Sequence, residues 1–222
     1  MGKIALLAAV GLFASASVAE EENVGGGALE KERKVETVKS ALTVVEPFAS
    51  GRRTFDEGWE FRLRDSDVNF TKVGVGVNDN GLTRLFRETN GWTAVDIPHD
   101  WMIAQPVARN GRNGFRAVGT SHPARSVGWY RKRFTVPGKG DVRPCVWLQF
   151  DGIYRDAQFW VNGIYLGRND SGYIGCRFDV TDLIEYGGAE NTVAVRVDAS
   201  RTEGWWYEGA GIYRHVKLTV KG

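Results

Sequence analysis

Two short segments of the sequence combine acidic and aromatic residues in a way that suits carbohydrate chemistry. The first is Pro-His-Asp-Trp at residues 98–101, which follows the extended segment 95–97. Pro98 favours extended backbone before it and removes a donor from a strand ladder, so Asp100 and Trp101 stand where the chain leaves a sheet. There a carboxylate can accept hydrogen bonds from sugar hydroxyls while an indole covers an apolar ring face. The alternative is that Asp100 caps a turn and Trp101 plugs the end of the fold.

The second segment is Glu-Gly-Trp-Trp-Tyr-Glu-Gly-Ala-Gly at residues 203–211, a loop between two predicted strands. Three consecutive aromatic residues cannot all face one core, so at least one of them is expected to be exposed or to line a cleft. Two interpretations of this loop stay open. Its aromatic residues contact a ligand or another domain, or they simply pack against their own domain.

Other chemistries lack their signatures in the sequence. There is no Gly-x-Ser-x-Gly elbow, no phosphate-binding loop and no His-Glu-x-x-His motif, and the three histidines have no metal-ligand spacing. We therefore expect no cofactor and no metal site. The 29 basic and 27 acidic residues give a formal charge of +2, which is too near neutrality for nucleic-acid binding through bulk charge or for attraction to a membrane surface. Any function must therefore lie in a specific site.

The dominant hydrophobic period after residue 51 is two, which predicts β-strands. Three segments alternate apolar with polar residues and are expected to form half-buried strands: 59–64, 193–197 and 215–220. Continuous apolar runs at 146–150 and 159–161 suit central strands. Asn162-Gly163 between two such segments is typical of a type I′ hairpin. The pattern predicts an all-β fold, an antiparallel sandwich of two sheets.

The first 50 residues differ in composition from the rest. Residues 1–19 hold one lysine, about ten consecutive apolar residues and a Ser-Val-Ala ending, which predicts a secretory signal peptide and a secreted or periplasmic protein. The stretch is shorter than a membrane span. Residues 20–50 are rich in charge and contain three consecutive glycines, which favours a flexible linker. A folded domain is expected at 51–222.

Cys145 and Cys176 allow one disulfide in an exported protein. Because Cys145 precedes an apolar strand and Cys176 lies beyond a glycine-rich turn, we favour two separate thiols, buried or half-buried, over a disulfide. Sequons for N-glycosylation occur at Asn69 and Asn169, and they matter only in a eukaryotic source.

Seven short motifs follow one another in the chain: Phe55-Asp56-x-Gly58-Trp59, Pro98-His99-Asp100-Trp101, Gly128-Trp129-Tyr130-Arg131, Phe150-Asp151-Gly152, Trp160-Val161-Asn162-Gly163, Asp179-Val180-Thr181 and Gly209-Ala210-Gly211-Ile212-Tyr213-Arg214. Each motif is weakly specific alone, but the seven in this order resemble the N-terminal sugar-binding domain of glycoside hydrolase family 2. The similarity is greatest to secreted β-galactosidase-like members, and it covers about residues 52–222.

The resemblance implies a jelly-roll sandwich, a galactose-binding-domain-like fold, that precedes an immunoglobulin-like domain and a catalytic TIM barrel. It also implies a β-galactoside or related carbohydrate as substrate. Loops of the sandwich would form the rim of the active site, with Asp100, Trp101 and Arg155 as the first candidates for sugar contact. Arg155 can donate from a rigid fork, or it can pair with Asp156 or Asp151 instead. The second candidates, which either touch sugar or pack on the barrel, are Trp205, Trp206 and Glu208.

Both catalytic glutamates of the family belong to the barrel, and retaining hydrolysis requires two carboxyl groups about 5–5.5 Å apart. The spacing of Asp100, Glu203 and Glu208 does not place two carboxylates across a scissile bond, so we expect no hydrolysis by residues 1–222 alone. Three hypotheses stay open. They are the accessory domain of a larger hydrolase, a free-standing carbohydrate-binding module, and a purely structural domain that stabilises a barrel.

Overall fold

The computed structural model describes residues 51–63, 89–107, 125–136, 138, 143–201 and 208–221, and the backbone of residues 43–44. Every described residue belongs to one unit, Thr37–Gly222. The described residues contain no α-helix, and two 3₁₀ turns lie at Trp101–Ala104 and Thr181–Leu183. The strands are β1 (Thr43–Val44), β2 (Gly51–Thr54), β3 (Trp59–Leu63), β4 (Thr93–Val95), β5 (Val127–Thr135), β6 (Cys145–Phe150), β7 (Ala157–Val161), β8 (Ile164–Asn169), β9 (Cys176–Asp179), β10 (Glu190–Asp198) and β11 (Val216–Lys221).

These strands form two sheets. Sheet A has the order β4-β3-β5-β10-β7-β8, and β1 pairs with β5 at one end. Sheet B has the order β2-β11-β6-β9. The pairing of β1 with β5 is parallel, and the remaining pairings described are antiparallel. The predicted all-β class and antiparallel jelly-roll sandwich are therefore confirmed.

Aromatic residues from both sheets meet in the core between them. The ring of Phe150 in β6 lies 6.4 Å from that of Trp59 and 4.9 Å from that of Phe159, measured between centroids. All three side chains are fully buried, as are the three valines of β10 that the alternation placed on the core side. Since burying a large apolar side chain contributes about 1.5–3 kcal/mol, this cluster holds the two sheets together.

The part of the outer face of sheet A where β3 pairs with β5 is buried around a charged pair, which the sequence pattern did not predict. Arg131 Nε donates to Glu60 Oε2 at 2.5 Å, and the Arg131 guanidinium carbon lies 4.2 Å from the centre of the Trp92 ring. Arg131 is 1% exposed and Glu60 is 6% exposed. The expectation of a half-buried β3 is wrong at this point, because an ion pair and an aromatic ring satisfy charges that simple alternation assigns to solvent.

The predicted hairpin between β7 and β8 is confirmed. Asn162 has a φ of +50° and Gly163 a φ of +82°, as a type I′ turn requires. The Asn162 side chain adds long-range bonds, because its Oδ1 accepts from the Thr192 N–H and its Nδ2 donates to the Leu183 carbonyl, both at 2.8 Å. The turn therefore fixes the local register and also ties the hairpin to β10.

Two residues of the predicted linker extend sheet A. Thr43 pairs with Phe134 and Val44 with Thr135, in parallel with β5. This part of segment 20–50 therefore joins a sheet, whereas the rest of the predicted signal peptide and linker lies outside the described residues.

The two cysteines lie at opposite ends of β6. Cys145 begins that strand, and Cys176 pairs with its last residue, Phe150. Their separation along the strand is about 16 Å, and both thiols are free. The prediction of two separate thiols is confirmed, although Cys145 is exposed rather than buried. Burial raises the pKa of the Cys176 thiol to about 12.

Lys132 is a buried lysine on the core side of β5, where it is 1% exposed. Its Nζ donates to the carbonyl oxygens of Phe55 and Glu57 and lies 3.9 Å from the centre of the Phe55 ring. Burial lowers the pKa of Lys132 to about 8, although the nearby carboxylates of Asp56, Glu57 and Asp96 act in the opposite direction. The side chain thus anchors the turn between β2 and β3 from inside the sandwich.

The lowered pKa of Lys132 predicts a pH dependence of stability. Between pH 8 and the ordinary lysine pKa of about 10.4, the unfolded chain holds more protons at this position than the folded chain. The free energy of unfolding should therefore rise with pH, by at most about 1.4 kcal/mol per pH unit. The variant Lys132→Met should lack this contribution. Urea unfolding of both proteins at about pH 8 and about pH 10 measures the difference between their pH slopes. Equal slopes would show that Lys132 does not titrate in this range.

Candidate functional site

Three segments that are distant in sequence form a small hydrogen-bonded ladder. The Trp101 N–H donates to the Ala210 carbonyl at 3.0 Å, and Tyr154 and Gly211 each donate an N–H to the carbonyl of the other, at 2.9 and 2.8 Å. The ladder joins the loops at residues 99–107, 152–156 and 208–212. We call these three loops, together with the loop 170–175 that packs on Tyr154, the loop end. It brings together four of the candidate residues: Asp100, Trp101, Arg155 and Glu208.

Gly211 stands at the centre of the ladder and has no room for a side chain. Its φ is +129°, and a Cβ atom there would lie 2.4 Å from the Tyr130 hydroxyl and 2.5 Å from the His99 carbonyl oxygen. Only glycine fits such a backbone and such contacts. The second glycine of the Gly-Ala-Gly-Ile-Tyr-Arg motif is thus explained by the close approach of segment 99–101 and of Tyr130 in β5.

Asp100 joins two of these segments through its carboxylate. One oxygen, Oδ1, accepts from the Met102 N–H and from the Ala210 N–H, both at 2.9 Å. The first bond caps the 3₁₀ turn Trp101–Ala104, as the alternative interpretation of the sequence stated. The second reaches 110 residues along the chain. Because the side chain is only half-buried, Asp100 is a structural anchor that still borders solvent.

Trp101 lies inside the domain. It is 2% exposed, its ring stacks on that of Phe61 at 5.2 Å and 27°, and its Nε1 donates to the Arg125 carbonyl at 3.0 Å. With its indole already packed and hydrogen-bonded, the ring has little free face for a sugar. The structure therefore favours the packing alternative for Trp101 over the stacking role expected from the resemblance.

Arg155 and Glu208 are both nearly buried, at 8% exposure each. Arg155 Nε lies 3.5 Å from Asp156 Oδ2, so the ion pair considered as an alternative is present. Burial, together with the charge of Glu208, raises the pKa of the Tyr154 hydroxyl above its ordinary value. A carboxylate and a guanidinium thus both border the Tyr154 side of the ladder. The other two candidates of this loop, Trp205 and Trp206, lie outside the described residues.

Tyr173 is the exposed aromatic residue that sequence reasoning missed. Its side chain is 58% exposed, and its ring meets that of Tyr154 edge-on, with centroids 5.7 Å apart and an interplanar angle of 70°. Its neighbour Ile174 is 61% exposed. The sequence did contain a signal for Tyr173, because it is a single aromatic residue among Asn, Asp, Ser and Gly. A large apolar ring in such a polar loop indicates an exposed contact surface.

The loop that carries Tyr173 is held at both ends. Asn169 Nδ2 donates to the Ile174 carbonyl at 3.0 Å, and the Tyr213 hydroxyl donates to the Gly172 carbonyl at 2.7 Å. A Cβ on Gly172 would lie 2.0 Å from the Tyr154 ring. Because Asn169 is 9% exposed and its amide is engaged, the second predicted sequon is closed to modification in the folded chain. The first, at Asn69, lies outside the described residues.

In the described part of the chain, no three or more His, Cys, Asp or Glu side chains are grouped so that they could hold a metal ion. The histidine of the loop end has another role. His99 Nδ1 and the Tyr130 hydroxyl are 2.8 Å apart, and burial lowers the pKa of His99.

Among the residues that the structure describes, no helix has the length and hydrophobicity of a transmembrane span.

Known proteins share both the sequence and the fold. The model of the "Glycosyl hydrolases family 2, sugar binding domain" matches residues 53–222. Beta-galactosidase BoGH2A of Bacteroides ovatus is 34% identical over 184 residues, which are 82% of this chain and 19% of that protein. A beta-glucuronidase of Formosa agariphila is 34% identical over 192 residues, covering 78% of this chain and 18% of its own length.

The solved structures agree with the sequence relatives. A beta-glycosidase from Bacteroides vulgatus superposes with a TM-score of 0.59 at 33% identity, covering 77% of this chain and 20% of that one. The chain spans about a fifth of the length of these relatives. Together with the family model, which covers more than half of the chain, the similarity confirms the resemblance drawn from the seven motifs. The chain belongs to the sugar-binding domain family of glycosyl hydrolases family 2.

Proposed function

We propose that this sugar-binding domain serves a larger β-galactosidase- or β-glucuronidase-like hydrolase and that its loop end forms part of the rim of the carbohydrate site. The observation that carries the proposal is the ladder, which fixes Asp100, Arg155 and Glu208 around the single segment 208–211. Donor and acceptor groups placed on rigid backbone suit the recognition of hydroxyl groups. Relatives named as beta-galactosidase and beta-glucuronidase support the substrate class.

Each side chain of the loop end has a distinct task in this proposal. The Arg155 guanidinium donates to sugar hydroxyls, and the Glu208 carboxylate accepts from them. Tyr173 supplies the aromatic face that the buried Trp101 cannot offer, because its ring is the more exposed of the two. Asp100 holds the backbone of both neighbouring loops in position. Trp205 and Trp206 remain candidates for further contact with sugar or with another domain.

The rest of the proposed enzyme follows from the family. We propose an immunoglobulin-like domain and a catalytic TIM barrel as partners in the full-length protein, with both catalytic glutamates in the barrel. In that arrangement the present domain shapes the entrance of the site and takes no part in bond cleavage. We also propose export, secreted or periplasmic, because residues 1–19 have the composition of a signal peptide.

A specific observation favours a second candidate, a domain that packs on its partner and contacts no sugar. Apolar side chains of the loop end are exposed, at 65% for Ile103, 72% for Val107 and 61% for Ile174. Exposed apolar groups in one region are typical of interaction surfaces. The same surface would also suit the third possibility, a free-standing carbohydrate-binding module, if Tyr173 binds sugar without any partner.

Calorimetric titration of the 222-residue chain with the neutral sugar methyl β-galactoside separates these possibilities. We expect weak binding at millimolar concentration, and we expect Tyr173→Ala to lose most of it. The matched control is Tyr165→Ala, which removes a half-exposed tyrosine from β8. No heat from this sugar would favour the structural domain. The same preparation should not hydrolyse an aryl β-galactoside, and turnover above background would contradict the assignment of catalysis to another domain.

A further inference from the structure

A polar cleft on sheet A takes no part in the ladder. It has a volume of about 170 Å³ and lies where β7, β8 and β10 run side by side. Both donors and acceptors line it, namely Asp156, Gln158, Arg168, Arg196, Asp198 and Arg201. We call it the arginine cleft.

The strand register builds one wall of the cleft as a row of hydrogen-bond donors. Gln158 in β7 is the register partner of Arg196 in β10 and of Arg168 in β8. Phe159 and Val195 are buried in the core, so alternation places these three side chains on the opposite, outer face. Cross-strand neighbours stand about 4.5–5.5 Å apart between Cβ atoms. The three donor groups can therefore converge on one small ligand.

Two of the arginines are held in position by acids. Arg168 Nη2 lies 3.0 Å from Asp156 Oδ1, and Arg168 also pairs with Asp170. Arg196 Nη2 lies 3.2 Å from Asp198 Oδ2. Each ion pair restricts the rotamers of its arginine before a ligand arrives. The arginine side chain therefore loses less conformational entropy when the ligand binds. Both oxygens of each acid have a partner, because Asp156 Oδ2 lies 3.5 Å from Arg155 Nε and Asp198 Oδ1 accepts from the Ser200 N–H. Each carboxylate oxygen has a second lone pair, which can accept from a further hydroxyl.

Arg201 and Gln158 complete the cleft with unused donors. Within the ranges that the structure describes, no acidic side chain pairs with Arg201 and no hydrogen bond engages the Gln158 amide. Three arginines against two aspartates give the lining one excess positive charge. The cleft is thus suited to a ligand that carries one negative charge together with several hydroxyl groups.

We propose that the arginine cleft binds an acidic monosaccharide, with the carboxylate on Arg201 and Gln158 and the ring hydroxyls on the two ion pairs. Arg201 donates to the carboxylate in a bidentate manner, as guanidinium groups do. Asp156 and Asp198 accept from hydroxyls, which a bare inorganic anion lacks, and they disfavour a multiply charged anion such as phosphate. All six lining residues are polar or charged, which suits a ligand without a large apolar face.

Titration of the 222-residue chain with sodium glucuronate, followed by calorimetry or by backbone amide shifts, tests this site. Glucuronate should bind, neutral glucose should bind at least about tenfold more weakly, and Arg201→Gln should weaken glucuronate about tenfold. The matched control Arg177→Gln removes an exposed arginine from β9 of sheet B and should leave the affinity unchanged. Thermal melting of both variants checks that the fold is retained.

The absence of glucuronate binding would overturn the proposal. Equal affinity for glucuronate and glucose, or no effect of Arg201→Gln, would also overturn it. Competition by acetate as strong as that by glucuronate would show a simple anion site and would contradict it as well. Glucose 6-sulfate distinguishes the source of the negative charge, because weaker binding than glucuronate supports a carboxylate and tighter binding contradicts it. The variant Tyr173→Ala should leave glucuronate binding at this cleft intact. A failure of the loop end and a failure of the cleft are therefore separable.

Discussion

Gly211→Ala is expected to destabilise the domain by about 2–6 kcal/mol, the largest single effect that we predict. About 1–3 kcal/mol comes from forcing a side chain into a backbone region that is almost exclusive to glycine. A similar amount comes from overpacking, because the new Cβ would lie 2.4 Å from the Tyr130 hydroxyl and 2.5 Å from the His99 carbonyl oxygen. If the backbone moves to relieve these contacts, segment 208–212 moves away from the other two segments of the ladder and its hydrogen bonds to them weaken. Chemical denaturation gives the free energy of unfolding directly.

The matched control for this change is Gly187→Ala. Gly187 has a φ of +84°, yet a Cβ there would meet nothing within 4 Å. The variant therefore carries conformational strain alone, with an expected cost of about 1–2 kcal/mol. If the two alanine variants lost equal stability, the close approach of Tyr130 and His99 to Gly211 would have no energetic weight. Their difference measures how tightly the loop end is packed.

Arg131→Met is expected to destabilise the domain by about 3 kcal/mol, because it leaves the buried Glu60 carboxylate without its nearest cation. The expected loss lies at the lower end of the range of about 3–5 kcal/mol for a broken buried ion pair. The reason is that a second cation remains near the carboxylate, since Arg133 Nη2 is 3.6 Å from Glu60 Oε2. The double variant Glu60→Leu with Arg131→Met should recover most of the loss, because an apolar pair of similar size needs no desolvated charge. Urea unfolding of the single and double variants measures the coupling between the two residues.

Arg133→Met is the control for the charged pair. Arg133 is partly exposed, with 27% of its side chain accessible, so its loss should cost less than about 1 kcal/mol. A cost equal to that of Arg131→Met would mean that the surroundings of Arg131 and Glu60 are not as dry as the 1% exposure of Arg131 indicates.

Local patterns predicted the parts of the fold that depend on neighbours in sequence. The valines of β10 face the core because a strand has a period of two, and Asn162-Gly163 turns because both residues take a positive φ. The burial of Glu60 could not be predicted in this way. Its partner Arg131 is 71 residues away, and no local rule tells an outer strand face that is covered from one that is open.

In the candidate site, too, the sequence predicted features that depend on neighbouring residues but not contacts between distant segments. The Pro-His-Asp-Trp motif correctly marked the end of the sandwich, and the turn-capping role of Asp100 follows from its position before the 3₁₀ turn. The bond from Asp100 to Ala210 and the burial of Trp101 depend on how three loops meet, which spacing alone does not reveal. Tyr173 was missed because a single tyrosine in a polar loop has no periodicity to read.

We propose above all that the loop end is the surface of this domain that faces sugar. Backbone amide spectra of the 222-residue chain, titrated with neutral methyl β-galactoside at millimolar concentration, test it most directly. We expect shift changes to concentrate in residues 99–105, 154–155, 172–174 and 208–211, and we expect Tyr173→Ala to reduce them. Changes confined to the outer face of sheet B, or saturable binding that leaves these four segments unchanged, would contradict it.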